Sequence, residues 1–412
     1  MDLTLTIFVL VYVAMGVGHL PFFRLDRTGA AMVGAMLLIA LGQIAPQDAW
    51  AAIDYRTIGL LFGLMVISAA FGVAGFYDFA ARKVGALDVG PKTLLAVIIG
   101  FSGIFSALLT NDVVAVAMTP IFCQICLARR LNPLPFLLGF CFAANVGSSA
   151  TLIGSPQNMI AAEALNLSFN GFLRVAALPS LIGLPVVWLV LVAVYRGRWT
   201  LATPQKTATA TALPASEDLD RVEALKAGLV TLAVLVAFVA TDRPHMLVAL
   251  LGASFLLVSR SVESEKLIRR VDGDLLLLLI GLFIVNAAVA ATGLPQQLLS
   301  ALGDIGLDLN QPLSMLVVMS VLSNIVGNNP AVMLVEPFIR NAAHPEALGA
   351  AIALGTGFSS NAVIFGSLAG IIVAEQGGRR GIVVGFAEFA RAGVPVALAT
   401  LLLAAGWIVW LG

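Results

Sequence analysis

Apolar segments of membrane-crossing length follow one another along nearly the whole chain, and two of them carry polar residues at mid-length. Ten lie near residues 3–18, 29–45, 57–75, 134–165, 175–195, 227–241, 245–259, 274–292, 347–373 and 392–411. Roughly 20 apolar residues suffice to cross a hydrocarbon core of about 30 Å. Two more, 94–127 and 313–340, are interrupted by Thr110-Asn111-Asp112 and by Gly327-Asn328-Asn329-Pro330. A continuous helix would carry those side chains into lipid, and Pro330 would break its hydrogen-bond ladder. A hairpin that enters and leaves by the same side avoids both problems and places its tip at an interior site. The fold class expected is an all-α polytopic membrane protein of ten transmembrane helices plus two re-entrant hairpins.

Composition excludes the other classes. The 412 residues are 60% hydrophobic and 11% charged, with 23 basic and 23 acidic residues, whereas soluble domains run at about 25% charged. A soluble enzyme, a nucleic-acid binder with its basic excess and a disordered chain are all ruled out. No nucleophile, base and orienting group come together, and no glycine-rich phosphate loop occurs, so neither an enzyme nor a cofactor is expected. The start of the chain lacks the basic region and small-residue cleavage site of a signal peptide and reads as the first span. Cys123, Cys126 and Cys141 fall inside apolar segments and give no disulfide framework. A Cys-x-x-Cys pair near a third thiol could hold As(III), but a pump must release its cargo, and buried cysteines act as small apolar side chains. His19, His245 and His344 fall in loops without metal-ligand spacing, so no metal is expected.

The positive charges orient the chain, because short loops rich in Lys and Arg stay cytoplasmic. With both termini outside and each hairpin returning to its own side, only Arg56, Arg174, Arg243 and Arg340 lie outside, against 19 of the 23 basic residues inside. Making one interrupted segment a full crossing would swap every later loop and erase the bias. The expected location is a bacterial cytoplasmic (inner) membrane, with lipid as the surrounding partner. The long polar segment 196–226, rich in Thr, Ala and Pro, reads as a cytoplasmic linker between a first half, 1–195, and a second, 227–412.

The two halves repeat. Gly63 to Ala70, followed by Gly75, matches Gly281 to Ala288, followed by Gly293, at a spacing of 218. Asn111-Asp112 with Pro120 matches Asn328-Asn329 with Pro337, and Phe172-Leu173-Arg174 matches Phe389-Ala390-Arg391, both at 217. The segment Asn145 to Ser155 resembles Gly357 to Ser367. Equivalent spans, the third and the eighth, lie an odd number of crossings apart, so the copies are inverted, as in many secondary transporters. The matches centre on Asn, Ser, Gly and Pro, which are costly in a membrane and mark function.

Each half therefore offers a hairpin (94–127, 313–340) and a broken helix (134–165, 347–373). The expected substrate-binding residues are Thr110, Asn111, Asn145, Ser148, Ser149, Gly154, Ser155, Asn328, Asn329, Ser359, Ser360, Asn361, Gly366 and Ser367. Unwound carbonyls can coordinate a cation, and helix N-termini present N–H groups to an anion or an oxygen-rich solute. No span offers an Arg or Lys near mid-membrane, so the site is expected to hold its ligand with neutral donors and acceptors. Asp112, an acid deep in the membrane without a basic partner in sequence, is expected to couple transport to H⁺ or Na⁺. Glu336 and Arg340, four apart on one helical face, read as a structural pair.

TNDVVAVAMTPIF (from Thr110), NVGSSATLIGSPQNMI (from Asn145), SNIVGNNPAVML (from Ser323) and SSNAVIFGSLAGIIV (from Ser359) resemble the ion transporter superfamily over nearly the whole chain. That superfamily includes arsenite efflux permeases, sodium/proton antiporters and sodium-coupled dicarboxylate and citrate carriers. The resemblance implies a scaffold domain and a transport domain holding both hairpins and both broken helices, moving as an elevator. The Asn111-Asp112 and Asn328-Asn329-Pro330 tips are more similar to the arsenite permease branch than to the carboxylate carriers, whose tips are typically Ser-Asn-Thr. The implied activity is proton-coupled efflux of arsenite and antimonite, with a soluble ATPase as the partner that would dock on 196–226. Ten spans instead of the permeases' usual twelve, and Pro156-Gln157-Asn158, depart from that branch. A sodium-coupled carboxylate symporter and a sodium/proton antiporter are the rival readings.

Overall fold

The computed structural model describes residues 3–18, 24–201, 219–294, 297, 308–339 and 342–411. Among them lie nineteen α-helices, a single-turn 3-10 helix at Ile364–Gly366 and no β-strand. The first half holds α1 (Leu3–Val17), α2 (Arg27–Ala40), α3 (Pro46–Ala52), α4 (Tyr55–Val73), α5 (Phe76–Gly85), α6 (Pro91–Leu108), α7 (Asn111–Ala128), α8 (Pro133–Ser148), α9 (Pro156–Ala164) and α10 (Phe169–Val194). The second holds α11 (Arg221–Ala240), α12 (His245–Leu257), α13 (Ser264–Ile268), α14 (Gly273–Ala290), α15 (Pro312–Val326), α16 (Asn328–Ile339), α17 (Pro345–Ser359), α18 (Leu368–Gly378) and α19 (Phe386–Leu411). Seven of these (α4, α6, α7, α10, α11, α14 and α19) are individually long and apolar enough to cross a membrane. The outer surface stays apolar, with Leu402 74% and Phe255 71% exposed, as befits a surface that faces lipid.

Local chemistry sets the helix ends. The Asp54 and Asp272 carboxylates accept the N–H groups of Arg56 and Leu275 and so cap α4 and α14 at equivalent positions. Asp26 and Ser168 cap α2 and α10 in the same way. Pro46, Pro91, Pro133, Pro156, Pro312 and Pro345 each open a helix, where a missing N–H costs nothing. Asp220, which accepts from Val222 and Glu223, starts α11 at Arg221, inside the segment expected to be linker. Of that segment, 202–218 lie outside the described residues, as do His19 and Arg340, the expected partner of Glu336. The span expected at 29–45 ends at Ala40, while α10 and α19 begin about two turns earlier than their apolar runs suggest. Arg174 and Arg391 bounded those runs, yet a long basic side chain sits readily in a helix end and reaches the interface. His245 is the first residue of α12 and not part of a loop.

The repeat appears as swapped packing. Helix α2 packs on α14 and α12 on α4, so each half's second helix lies against the other half's fourth. Added β-carbons at Gly63 and at Gly281 would meet the carbonyl carbons of Ala249 and Ala31, both at 2.8 Å. Ala31 and Ala249 are themselves 218 apart, so one contact is built twice by a single two-fold relation.

The interrupted segments fold back on themselves. The Arg129 guanidinium, at the end of α7, donates to the Leu87 and Val89 carbonyls just before α6, at 2.9 and 2.8 Å. Entry to and exit from the first hairpin are thus side by side. Lys226 reaches Val258, Asn132 reaches Trp199 and Asp220 reaches Ala74, so basic loops pair with one another, one of these contacts lying at the end of α4. On the opposite face, Glu163 at the end of α9 meets Arg56 and His245. The second hairpin turns at Gly327, whose φ of +93° suits a residue without a β-carbon. The broken helices separate into α8 with α9 and α17 with α18.

Leucine at Gly63 or at Gly281 is expected to force the swapped helix pairs apart at a cost of about 1–3 kcal/mol. The two variants should lower the melting temperature of the detergent-solubilised protein to a similar extent; an effect at only one position would contradict the equivalence of the two contacts.

Candidate functional site

Four helices begin at one place. Asn111 starts α7, Pro156 starts α9, Asn328 starts α16 and Leu368 starts α18. Asn111, Gln157, Asn328 and Leu368 line a common cavity of about 280 Å³. Each helix start presents unpaired N–H groups and about half a positive charge. The hairpins bring two of these ends to the breaks in the helices that bring the other two. The Asn111 N–H donates to the Gly154 carbonyl at 3.2 Å, joining the first tip to the first break. At the second, Ser360 Oγ lies 3.1 Å from Asn328 Oδ1 and 3.0 Å from the Gly366 carbonyl, either of which can accept its one proton.

The two breaks also bind each other. Asn145 Nδ2 donates to Asn361 Oδ1 and to Ser367 Oγ, both at 3.0 Å. Ser149 Oγ reaches the Ala353 carbonyl at 3.2 Å and lies against Gly357 so closely that a β-carbon there would collide. Asn158 Nδ2 donates to the Ser148 and Thr151 carbonyls, both at 2.9 Å, which satisfies carbonyls that the break frees from the ladder of α8. Ser323 and Ser359 hydroxyls meet at 3.2 Å and tie α15 to α17.

The sequence-derived residues divide accordingly. Asn111, Asp112, Asn328, Asn329, Gly366 and Ser367 line the cavity. Asn145, Ser148, Ser149, Gly154, Ser155, Ser359, Ser360 and Asn361 lie behind it, buried, and most of them hold the breaks in shape. Thr110 is buried beneath the first tip. Among the described residues, seven buried polar atoms on the tips and breaks have no hydrogen-bond partner: Thr110 Oγ1, Asn111 Oδ1, Ser155 Oγ, Asn158 Oδ1, Asn324 Oδ1, Asn329 Oδ1 and Asn361 Nδ2. Unpaired polar atoms cost about 1–3 kcal/mol each when buried, and two of the seven, on Asn111 and Asn329, belong to side chains that line the cavity.

The lining also holds Gln157, from the first break, and residues outside the expected site: Arg27, Thr28, Asp272, Asp274 and Phe365. The expectation of a site without basic side chains is corrected by Arg27, which opens α2 at the cavity mouth. Its position at a helix start kept it out of every apolar span. Asp272 was findable, because the 218 spacing carries the helix-capping Asp54 onto it. Thr28 Oγ1 donates to the Asp274 carbonyl at 3.3 Å, which ties the start of α2 to the start of α14. The three cysteines are buried free thiols, and among the described residues no His, Cys, Asp and Glu group has the makings of a metal site.

The family model described as a citrate transporter (CitMHS) matches residues 10–355. The chain belongs to the citrate transporter family. It is 30% identical to a 46 kDa membrane protein of Mycobacterium leprae over 99% of this chain and 98% of that one. It is 36% identical to the silicon efflux transporter LSI3 of Oryza sativa over 42% of this chain and 36% of that one. A putative transporter, arsB, of Dictyostelium discoideum is 34% identical over 40% of this chain and 29% of its own. The fold is similar to the crystal structure of the Alcanivorax borkumensis YdaH transporter, with a TM-score of 0.59 and 15% identity over 100% of this chain and 98% of that one. The protein is a multi-pass membrane transporter of this family.

Asn145→Ala removes both donors to the second break, and is expected to cost about 1–3 kcal/mol and lower the melting temperature. Asn329→Ala, at a cavity-lining side chain whose oxygen has no partner, is expected to leave the melting temperature nearly unchanged while weakening transport.

Proposed function

We propose that the chain exports arsenite and antimonite, as neutral hydroxides, across a bacterial inner membrane in exchange for protons, with Asp112 taking up and releasing the coupling proton. The observation that carries this reading is the charge balance of the cavity. Four helix ends contribute about two positive charges and Arg27 one more, while Asp112, Asp272 and Asp274 offset them. A cavity so balanced suits a small neutral solute with several hydroxyls, which the unpartnered Asn111 and Asn329 oxygens can bind. The motif resemblance, a relative named as a silicon efflux transporter and another named arsB support the same chemistry.

The mouth formed by Arg27 and Asp274 lies at the start of α2 and α14. In that quarter, Arg270 also reaches Gly72, near the basic loops. With that face cytoplasmic and both termini outside, the cavity loads from within the cell, as efflux requires. A protonated Asp112 returns the balance toward positive and favours release of a neutral hydroxide in exchange for the proton.

A second reading, sodium-coupled symport of citrate or a dicarboxylate, is favoured by the family description. Two or three added carboxylates would have to be offset by co-bound cations at the same acids, since among the described residues Arg27 is the single basic side chain in the lining.

Expression in an efflux-deleted, metalloid-sensitive bacterium is expected to restore growth on arsenite and antimonite, and Asp112→Asn to return growth to the level of the empty vector. Lack of protection despite good membrane expression would overturn the metalloid reading. Sodium-dependent citrate or succinate uptake by vesicles would then install the carboxylate one, and sodium-driven proton movement alone would indicate antiport.

A further inference from the structure

The repeat reaches beyond the motifs into two charged clusters on opposite faces. From the serines that precede α9 and α18, Ser155 and Ser367, the register continues at a spacing of 212 and aligns Ile160-Ala161-Ala162-Glu163 with Ile372-Val373-Ala374-Glu375. In the 218 register, Ala31 and Gly34 match Ala249 and Gly252, which places Arg27 opposite His245, Asp54 opposite Asp272, and Arg56 opposite Asp274.

The clusters are equivalent in sequence and opposite in arrangement. On the far face the cluster is shut. The Glu163 side chain, 11% exposed, has Arg56 Nε at 3.8 Å and His245 Nδ1 at 3.7 Å, with Asp54 holding Arg56 from behind at 3.3 Å. That contact ties the end of broken helix α9 to the starts of α4 and α12. On the basic face the counterparts stand apart. Arg27, Asp272 and Asp274 line the cavity mouth, while Glu375 turns to Arg379 one turn along its own helix, both more than half exposed.

We propose that Glu163 and Glu375 are reciprocal latches: Glu163 docked on Arg56 and His245 holds the far face shut, and Glu375 docked on Arg27 shuts the basic face when the far one opens. The inference rests on the alternating-access reading of this transporter. Inverted repeats that exchange conformations carry the end of α18 to the starts of α2 and α14, as the end of α9 already sits on α4 and α12. The latches are unequal, because Asp274 occupies the place of Arg56. Glu375 meets one guanidinium and the carboxylates Asp272 and Asp274, whereas Glu163 meets Arg56 and His245. The basic-face latch is the weaker, and the protein rests open to that face.

Cysteine pairs test this in proteoliposomes, in a chain whose Cys123, Cys126 and Cys141 are replaced by Ala. The pairs are Arg56→Cys with Glu163→Cys, and Arg27→Cys with Glu375→Cys, each joined by a short bifunctional thiosulfonate. In a parallel chain Asn329→Cys reports cavity access to an impermeant maleimide from either side. Each pair is expected to link, and in a chain carrying all four cysteines the two links should exclude one another. A second pair that never links, while Asn329→Cys is reached from both faces in turn, would overturn the latch and leave alternating access standing. Access from one face alone under every gradient would overturn the transport reading itself. Where the cysteine-free chain does not fold, exchange of the charges in the native chain decides. Arg27→Glu combined with Glu375→Arg should recover most of the transport that either change alone abolishes, and a double variant no better than the singles would sink the proposal.

Discussion

Everything at the centre of this protein depends on satisfying backbone groups where no water can reach them. Two helices, α8–α9 and α17–α18, stop and restart inside the membrane, and each break releases carbonyls and N–H groups that lipid cannot pair. The protein answers with side chains of its own. Asn145 bridges to Asn361 and Ser367, Asn158 takes up Ser148 and Thr151, and Ser360 takes up Gly366. Because the breaks are bound to one another, four helix starts are held at one cavity. Of the polar atoms left over at the tips, those of Asn111 and Asn329 sit on side chains that line the cavity.

The frame around this centre is a duplicated contact. Swapped pairing of α2 with α14 and α12 with α4 places Ala31 on Gly281 and Ala249 on Gly63 at matching distances. Such close backbone approach is the usual means by which membrane helices associate, since lipid offers no hydrophobic gain for bringing them together. Departures from the symmetry are where direction enters: Asp274 stands opposite Arg56, Asn329 opposite Asp112, and Arg27 opposite His245. These unlike residues make the two halves chemically unequal.

Much was legible in the residues because a bilayer limits the solutions. Asn111-Asp112 and Asn328-Asn329-Pro330 in the middle of apolar runs admit few structures besides re-entrant tips, and both tips do meet at one cavity. Less legible were the helix ends, since Arg174 and Arg391 cut the apolar runs short of where α10 and α19 begin. The roles within the expected site were not readable either. Asn145, Ser149 and Ser360 share residue types with Asn111 and Asn329, and their separation into supports and cavity lining depends on which neighbour each one meets.

Sequence alone determined that this chain lies in a membrane, that it is built twice with opposite orientation, and that polar tips and breaks interrupt its apolar segments. Hydropathy, charge bias and internal repetition are properties of the chain taken locally, and they survive in one dimension. Tertiary structure alone decided that Arg27, Asp272 and Asp274 join Asp112 around one cavity, and that Glu163 is docked while Glu375 is not. Those groups come from helices hundreds of residues apart, and distance through space, which sets every electrostatic balance here, is not written in their order.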